Sequence, residues 1–182
     1  MMRAQPKVVV VGGGFGGLES TFSLRSKLGD RVDLTLVSDR DYFLFKLNTI
    51  SIPIGEEPEH WHVLLEKPTR RTHIAFTQAR VRAIDPQRQT VQLDGEPLAY
   101  DSLEVATGAE MRPQEIPGLQ DHALTVWAEL ALVRLRTRFQ QLLAQVRRGA
   151  PQRLLFLVLP NNRCSGPLYE MVLMTDTWLR RQ

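Results

Sequence analysis

VVVVGGGFGGLES, residues 8–20, is a short apolar run that breaks into glycine at 12, 13, 14, 16 and 17 and then resumes with helix-forming residues. Gly12, Gly14 and Gly17 satisfy G-x-G-x-x-G. That spacing alone is a weak signal, and the flanks strengthen it. Lys7–Val11 is β-branched and short enough for a buried strand, while Leu18, Phe22 and Leu28 recur near helical spacing with Thr21 and Arg25 between them. Strand, glycine turn and helix form the context in which this pattern binds a dinucleotide. A glycine at 12 permits the tight turn, one at 14 lets backbone approach a pyrophosphate, and one at 17 lets helix and strand pack closely. The N–H groups that open the helix then face phosphate charge. The alternative is a plain strand-to-helix turn.

A dinucleotide fold continues with a second strand that ends in a ribose contact about 20 residues on. Residues 31–37, RVDLTLV, alternate and then turn apolar, and they run into Ser38-Asp39-Arg40. Asp39 offers a carboxylate to a ribose hydroxyl, although Ser38 lies nearer the expected spacing. The other reading of Asp39 is a solvated loop charge.

Composition sets outer bounds. A hydrophobic fraction of 43% suits a globular chain rather than a disordered one. The net charge is +3, and the basic residues are mostly scattered arginines with no run that interleaves with aromatics. Nucleic-acid binding is therefore not expected. Cys164 is the only cysteine, which excludes an internal disulfide and suits a reducing cytoplasm. The first apolar run is too short for a signal peptide or a membrane span. The expected location is cytoplasmic, with peripheral attachment at the cytoplasmic face left open. His60 and His62 have no third ligand nearby, and their spacing does not share a helix face, so no metal is expected.

Further along, residues 41–55 are unusually apolar for a connection and should be buried. Residues 58–71 read as a helix limited by Pro68. A strand is expected over 73–77, then a β-meander over 79–84 and 90–93 with turns at Asp85-Pro86 and Asp94-Gly95. Residues 103–106 form a strand that Thr107-Gly108 ends, and 113–118 an extended loop. A long helix spans 128–148, with Leu130, Leu135, Phe139, Leu142 and Val146 on its apolar side and arginines on a solvated face. A buried strand over 153–159 and a helix over 166–181 follow. The fold class is α/β. Residues 1–118 form a Rossmann-like, doubly wound domain with a β-meander insert, and 119–182 begin the first βα unit of a second dinucleotide-type domain.

Three stretches together, VVVVGGGFGG, the strand running into SDRDYFLF, and YDSLEVATGAE, resemble the two-dinucleotide flavoprotein oxidoreductases. Within that superfamily the chain is similar to the branch of sulfide:quinone oxidoreductases and type 2 NADH dehydrogenases, where Tyr42-Phe-Leu-Phe45 matches an aromatic Y-x-L-F run. The resemblance implies FAD as cofactor. Gly12, Gly14, Phe15, Gly16 and Gly17 would hold its pyrophosphate, and Ser38, Asp39 and Arg40 would border the adenosine ribose. Val81 would meet the adenine through its backbone, and Ala106, Thr107 and Gly108 would bring backbone near the flavin. Val81 reads equally well as a strand core residue, and Thr107-Gly108 as a turn. Two departures stand out. The C-x-x-x-x-C of disulfide reductases is absent, and Leu47 stands where relatives usually carry proline.

A second glycine motif would be expected after residues 156–159. Instead the chain reads PNNRCSGPLYE over 160–170, and only Gly166 remains. Side chains there impede the close approach of a pyrophosphate, which argues against NADH at this point. A cysteine followed by G-P-x-Y-E resembles the sulfide:quinone oxidoreductases and flavocytochrome sulfide dehydrogenases. The resemblance makes Cys164 one of a redox pair that takes up sulfide sulfur and passes electrons to FAD and then a quinone. A helix N-terminus and Arg163 would favour its thiolate. The other reading is a small buried apolar residue. Glu170 is expected either to face the flavin or to lie on the helix surface.

Members of this branch are considerably longer. The expectation is a fragment, a truncated reading frame or one piece of a split protein, too short for autonomous turnover. The absent part would carry the partner cysteine, the quinone site, the closing strand of the first domain and any membrane contact. A C-terminal half or a second copy of the chain is the expected partner. The rivals are an NADH:quinone oxidoreductase with a degenerate second loop and a non-catalytic dinucleotide-binding remnant.

Overall fold

The computed structural model describes residues 5–158 and 164–182. The elements run β1 (Lys7–Val11), α1 (Phe15–Leu28), β2 (Asp33–Ser38), β3 (Tyr42–Leu44), β4 (His62–Leu64), α2 (Glu66–Arg71) and β5 (Ala75–Gln78). Then come β6 (Val81–Asp85), β7 (Thr90–Leu93), β8 (Leu98–Ala99), β9 (Ser102–Val105), α3 (Leu119–His122), α4 (Glu129–Arg147) and α5 (Gly166–Leu179). The chain divides into two compact units. One comprises the residues up to 44 with 62–109, and the other residues 45–61 with 110 onward.

The first unit is built on a parallel sheet of order β5-β2-β1-β9. Register sorts its residues onto two faces, because side chains alternate along each strand. Val10, Leu34 and Leu36 lie on one face, under Leu18, Phe22 and Leu28 of α1. Val9, Val11 and Val37 lie on the other, against Val81, Val91, Leu93 and Leu98 of the antiparallel meander β6-β7-β8. Both faces of the parallel sheet are thereby covered, as such sheets require. The meander does on one face what a helix layer does on the other. At the far end of α1, Arg25 donates to the carbonyls of Gly29 (2.5 Å) and His73 (2.7 Å), joining the helix end to the turn before β5. His73 takes a positive φ of 55° in that turn.

The second unit has a core of Ile50, Ile52, Leu132 and Met171, with Trp61, Val133 and Phe156 packed against it. The apolar connection is buried in part, with Leu47 69% exposed. After β3 it winds into a 3₁₀ stretch over Lys46–Ile54, in which Thr49, Ile50, Ile52 and Pro53 are buried. Along α4 the inward positions are Leu132 and Phe139, not Leu130, which is 72% exposed, nor Val146. Arg136 also departs from the solvated face expected of it. Its Nε donates to the Ile52 carbonyl at 2.8 Å, and its guanidinium meets both Glu57 carboxylate oxygens (3.0 and 3.1 Å) and the Glu56 carbonyl.

Three other expectations change. Residues 58–71 are not one helix: a 3₁₀ turn at Pro58–Trp61 leads into β4, which pairs with β3, and then into α2. Pro68 sits in the first turn of α2, where its missing N–H has no intrahelical acceptor in any case. Pro113–Glu115 forms a 3₁₀ turn within the segment expected to be an extended loop. The strand expected at 153–159 is absent over its described part, 153–158. Phe156 reaches the core, but Leu155 is 89% exposed. No neighbouring strand pairs with this stretch among the described residues, and an unpaired backbone does not hold strand form by composition alone.

Candidate functional site

The connection through α1 carries the chain from β1 to β2 on one side, while β9 lies on the other. The C-terminal ends of β1 and β9 therefore flank the switch point of the sheet, where open α/β folds form their ligand crevice. Gly12 turns the chain there with φ 120°, and its N–H donates to the Val37 carbonyl at 2.8 Å. Across the crevice the Ala106 N–H donates to the Val11 carbonyl at 2.7 Å.

The glycines divide by what a side chain would meet. A Cβ at Gly12 would overlap the Ala106 carbonyl, and one at Gly17 would overlap the Gly12 carbonyl. A Cβ at Gly13 would stand 2.6 Å from the Ser38 Oγ. These three positions let the loop and α1 sit directly on the turn, on Ser38 at the end of β2 and on Ala106 just past β9. Gly14 is different: a Cβ there meets nothing within 4 Å. It caps α1 with extended backbone, and its carbonyl accepts from the Leu18 N–H at 3.0 Å. A Cβ at Gly16 would have only the Ala106 Cβ nearby, at 4.0 Å. Open space thus lies before the first turn of a helix, whose opening N–H groups have no intrahelical acceptors. Backbone, space and dipole together suit a pyrophosphate. Phe15 is half exposed, with its ring edge-on to Phe43 at 4.8 Å.

At the end of β2, Ser38 and Asp39 face different surroundings. Ser38 is buried beneath Gly13, and its Oγ accepts from the Arg40 N–H at 3.2 Å. Asp39 is exposed, 3.7 Å from Arg40, and lines a polar cleft with Gln78, Ala79, Arg80, Arg82 and Asp94. Arg40 in turn lies over the Tyr42 ring at 5.3 Å, and that ring stacks on His62 at 3.7 Å. Val81 is half-buried against the core, between the two arginines of the cleft. The Arg80 N–H donates to an Asp94 carboxylate oxygen at 3.1 Å, and the Asp94 N–H returns a bond to the Arg80 carbonyl.

Sequence reading missed Gln78, Arg80, Arg82 and Asp94. The available signal was the pairing itself: Gln78 lies in register with Ser38 at the same end of the sheet. Beyond β9, the Thr107 nitrogen stands close to the Gly12 turn, and Gly108 takes φ 75°.

The remaining candidate lies in the second unit. Cys164 is exposed, two residues before α5, which begins with Gly166 and Pro167. Its exposure corrects the reading of a small buried apolar residue. Arg163 lies outside the described residues. A Cβ at Gly166 would meet nothing within 4 Å, and Glu170 is exposed on the helix. Near the end of α5, the Arg180 guanidinium hydrogen-bonds Asp176 at 2.8 Å and holds its carboxyl below the ordinary range. Among the described residues no three His, Cys, Asp or Glu side chains converge as metal ligands, and no helix is long and apolar enough to cross a membrane.

The chain belongs to the pyridine nucleotide-disulphide oxidoreductase family, whose family model matches residues 6–144. It is 29% identical over 177 residues to a sulfide-quinone reductase of Aquifex aeolicus, covering 96% of this chain and 40% of that protein. It is 32% identical over 134 residues to a demethylphylloquinone reductase of a Synechocystis species, covering 68% of this chain and 33% of that protein. The crystal structure of the sulfide:quinone oxidoreductase from Aquifex aeolicus superposes with a TM-score of 0.85, covering 98% of this chain and 40% of that one. The structure of NDH2 from Plasmodium falciparum, at 20% identity and a TM-score of 0.67, covers 87% of this chain and 31% of its own, and shares the fold. The chain thus spans about two fifths of the length of the sulfide-quinone reductase that it matches.

Proposed function

We propose that this chain is the FAD-binding portion of an electron-transfer flavoprotein of sulfide:quinone oxidoreductase type. The observation that carries the cofactor reading is the open space at Gly14, set in a helix-strand junction that is closed to side chains at Gly12, Gly13 and Gly17. Bound FAD would supply a two-electron acceptor that a quinone can reoxidise. The chain's own residues would hold it. The backbone at Gly14 and the start of α1 take the pyrophosphate, and the Asp39 carboxylate accepts from the ribose hydroxyls. Ser38 supports Gly13 from below, and residues 106–108 wall the flavin side. Val81 offers backbone to the adenine. Cys164, exposed at the approach to α5, is the point of sulfide uptake.

Coverage supports sulfide over NADH as donor. The sulfide-quinone reductase match runs over 96% of this chain, whereas a type II NADH:quinone oxidoreductase of Staphylococcus saprophyticus matches over 69%. The surviving single glycine of the second junction points the same way.

The test is a visible absorption spectrum of the purified chain after reconstitution with FAD and desalting. Retained flavin bands that NADH does not bleach are expected; anaerobic bleaching by sulfide is expected once a C-terminal half carrying the partner cysteine is added, and is expected to be lost there in Cys164→Ser. Bleaching by NADH that survives Cys164→Ser would transfer the chain to the NADH:quinone reading. Absence of retained flavin would overturn the cofactor reading for this chain.

A further inference from the structure

Among the strand residues on the face of the parallel sheet under α1, one is ionisable. Glu104 of β9 is the register partner of Val10, which is fully buried on that face. A half-buried carboxylate in an apolar layer is costly unless hydrogen-bonded. Its side-chain donor among the described residues is Ser20 of α1, whose Oγ donates to Glu104 Oε2.

The placement of this pair gives it a role. Ser20 lies three residues beyond Gly17, on the same side of α1, and Glu104 lies two residues before Ala106, on the same side of the chain. A Cβ built at Gly17 comes to 3.4 Å from the Ala106 Cβ. The helix and strand therefore meet at two rungs: Gly17 over Ala106, and Ser20 over Glu104. The first rung forms the crevice itself. The second lies one helical turn behind it and is the polar tie between the helix that carries the glycine loop and the strand that carries residues 106–108.

We propose that Ser20 and Glu104 are positioning residues that set the separation of the two crevice walls, and through it the affinity for a dinucleotide pyrophosphate. This inference rests on the reading of the crevice as an FAD site, and its test is built so that the two can fail separately. Amide hydrogen exchange in the FAD-free chain is read at Leu18, which bonds the Gly14 carbonyl, and at Ala106, which bonds the Val11 carbonyl. Flavin affinity is read by visible titration. Ser20→Ala leaves the carboxylate without its donor under the helix. It should speed exchange at Leu18 and Ala106 about tenfold and weaken FAD about tenfold, with Val91 in the meander unchanged. Glu104→Gln keeps an acceptor and should stay close to the parent in both readouts. Ser20→Ala with Glu104→Val removes both polar groups and should recover the exchange protection. Unchanged exchange at Leu18 and Ala106 in Ser20→Ala, or an equal rise at Val91, would overturn the positioning role. If the parent chain binds no FAD, the cofactor reading fails and the exchange pattern alone decides the role of the pair.

Discussion

The starts of α1 and α5 use glycine in different ways. At the first, Gly12, Gly13 and Gly17 are places where any side chain would strike backbone or a buried hydroxyl, so glycine is a packing requirement. Gly14 faces open space, and Gly16 has only the Ala106 Cβ nearby. At the second, the one glycine, Gly166, also faces open space, but no close-packed partner glycines surround it among the described residues. A dinucleotide loop therefore consists of two kinds of glycine, those that bring helix onto strand and one that admits the ligand. The first junction has both. The second has no glycine of the packing kind between residues 159 and 170 of the sequence.

The harshest way to break the contrast is Gly17→Val. Its side chain would drive α1 off the Gly12 turn, and a loss of about 3 kcal/mol or more is expected in chemical denaturation. The second unit depends on a different device. Arg136→Ala removes a guanidinium that bonds two carbonyls and the Glu57 carboxylate across α4 and the 3₁₀ stretch. A loss of about 2–3 kcal/mol is expected, read as an earlier urea transition in the fluorescence of Trp61, Trp127 and Trp178 together. Gly14→Ala sharpens the comparison. Stability should move by less than about 1 kcal/mol, while FAD affinity falls at least about tenfold, about 1.4 kcal/mol, by titration. The matching change at the second junction, Gly166→Ala, should alter stability by no more than about 0.5 kcal/mol and leave retained flavin unchanged.

The smallest effect lies at the far end of α5. Arg180 lowers the Asp176 pKa, chiefly by hydrogen bonding, so the pair's contribution is present above the unfolded-state pKa of that carboxyl. It is lost as pH falls through the lower folded-state value. Proton-detected titration of Asp176 should show a midpoint below the ordinary aspartate range, and Arg180→Ala should return it upward. An unshifted midpoint would remove the pair from the account of α5.

Legibility in the sequence was uneven for physical reasons. Lys7–Val11, the glycine turn and α1 were readable because local pattern and tertiary role coincide there. The first two strands of the meander were readable from their turn residues within a residue or two, whereas the short β8 was not. The strand expected at 153–159 does not form over 153–158 because an apolar, leucine-rich composition describes a preference, whereas strand form needs a paired neighbour. Arg136 was misread because a charged residue on a helix is usually solvated, and only the carbonyls of Ile52 and Glu56 reveal where its guanidinium goes. Ser38 and Asp39 were left as rivals by spacing. Burial separates them, with Ser38 beneath the loop and Asp39 on the cleft.

The sequence by itself determined the junction chemistry of this protein. Glycines at 12, 14 and 17, an apolar strand before them and a helical period after them mark a dinucleotide loop, and the family resemblance needed SDRDYFLF and YDSLEVATGAE beside it. Only the tertiary structure decided which glycines close the junction and which one leaves room, since that depends on Ala106 and Ser38 arriving from other strands. It also decided that Glu104 is answered by Ser20, and that Gln78, Arg80, Arg82 and Asp94 share a cleft with Asp39. Those relations join residues far apart in the chain, and strand order and register, not spacing, bring them together.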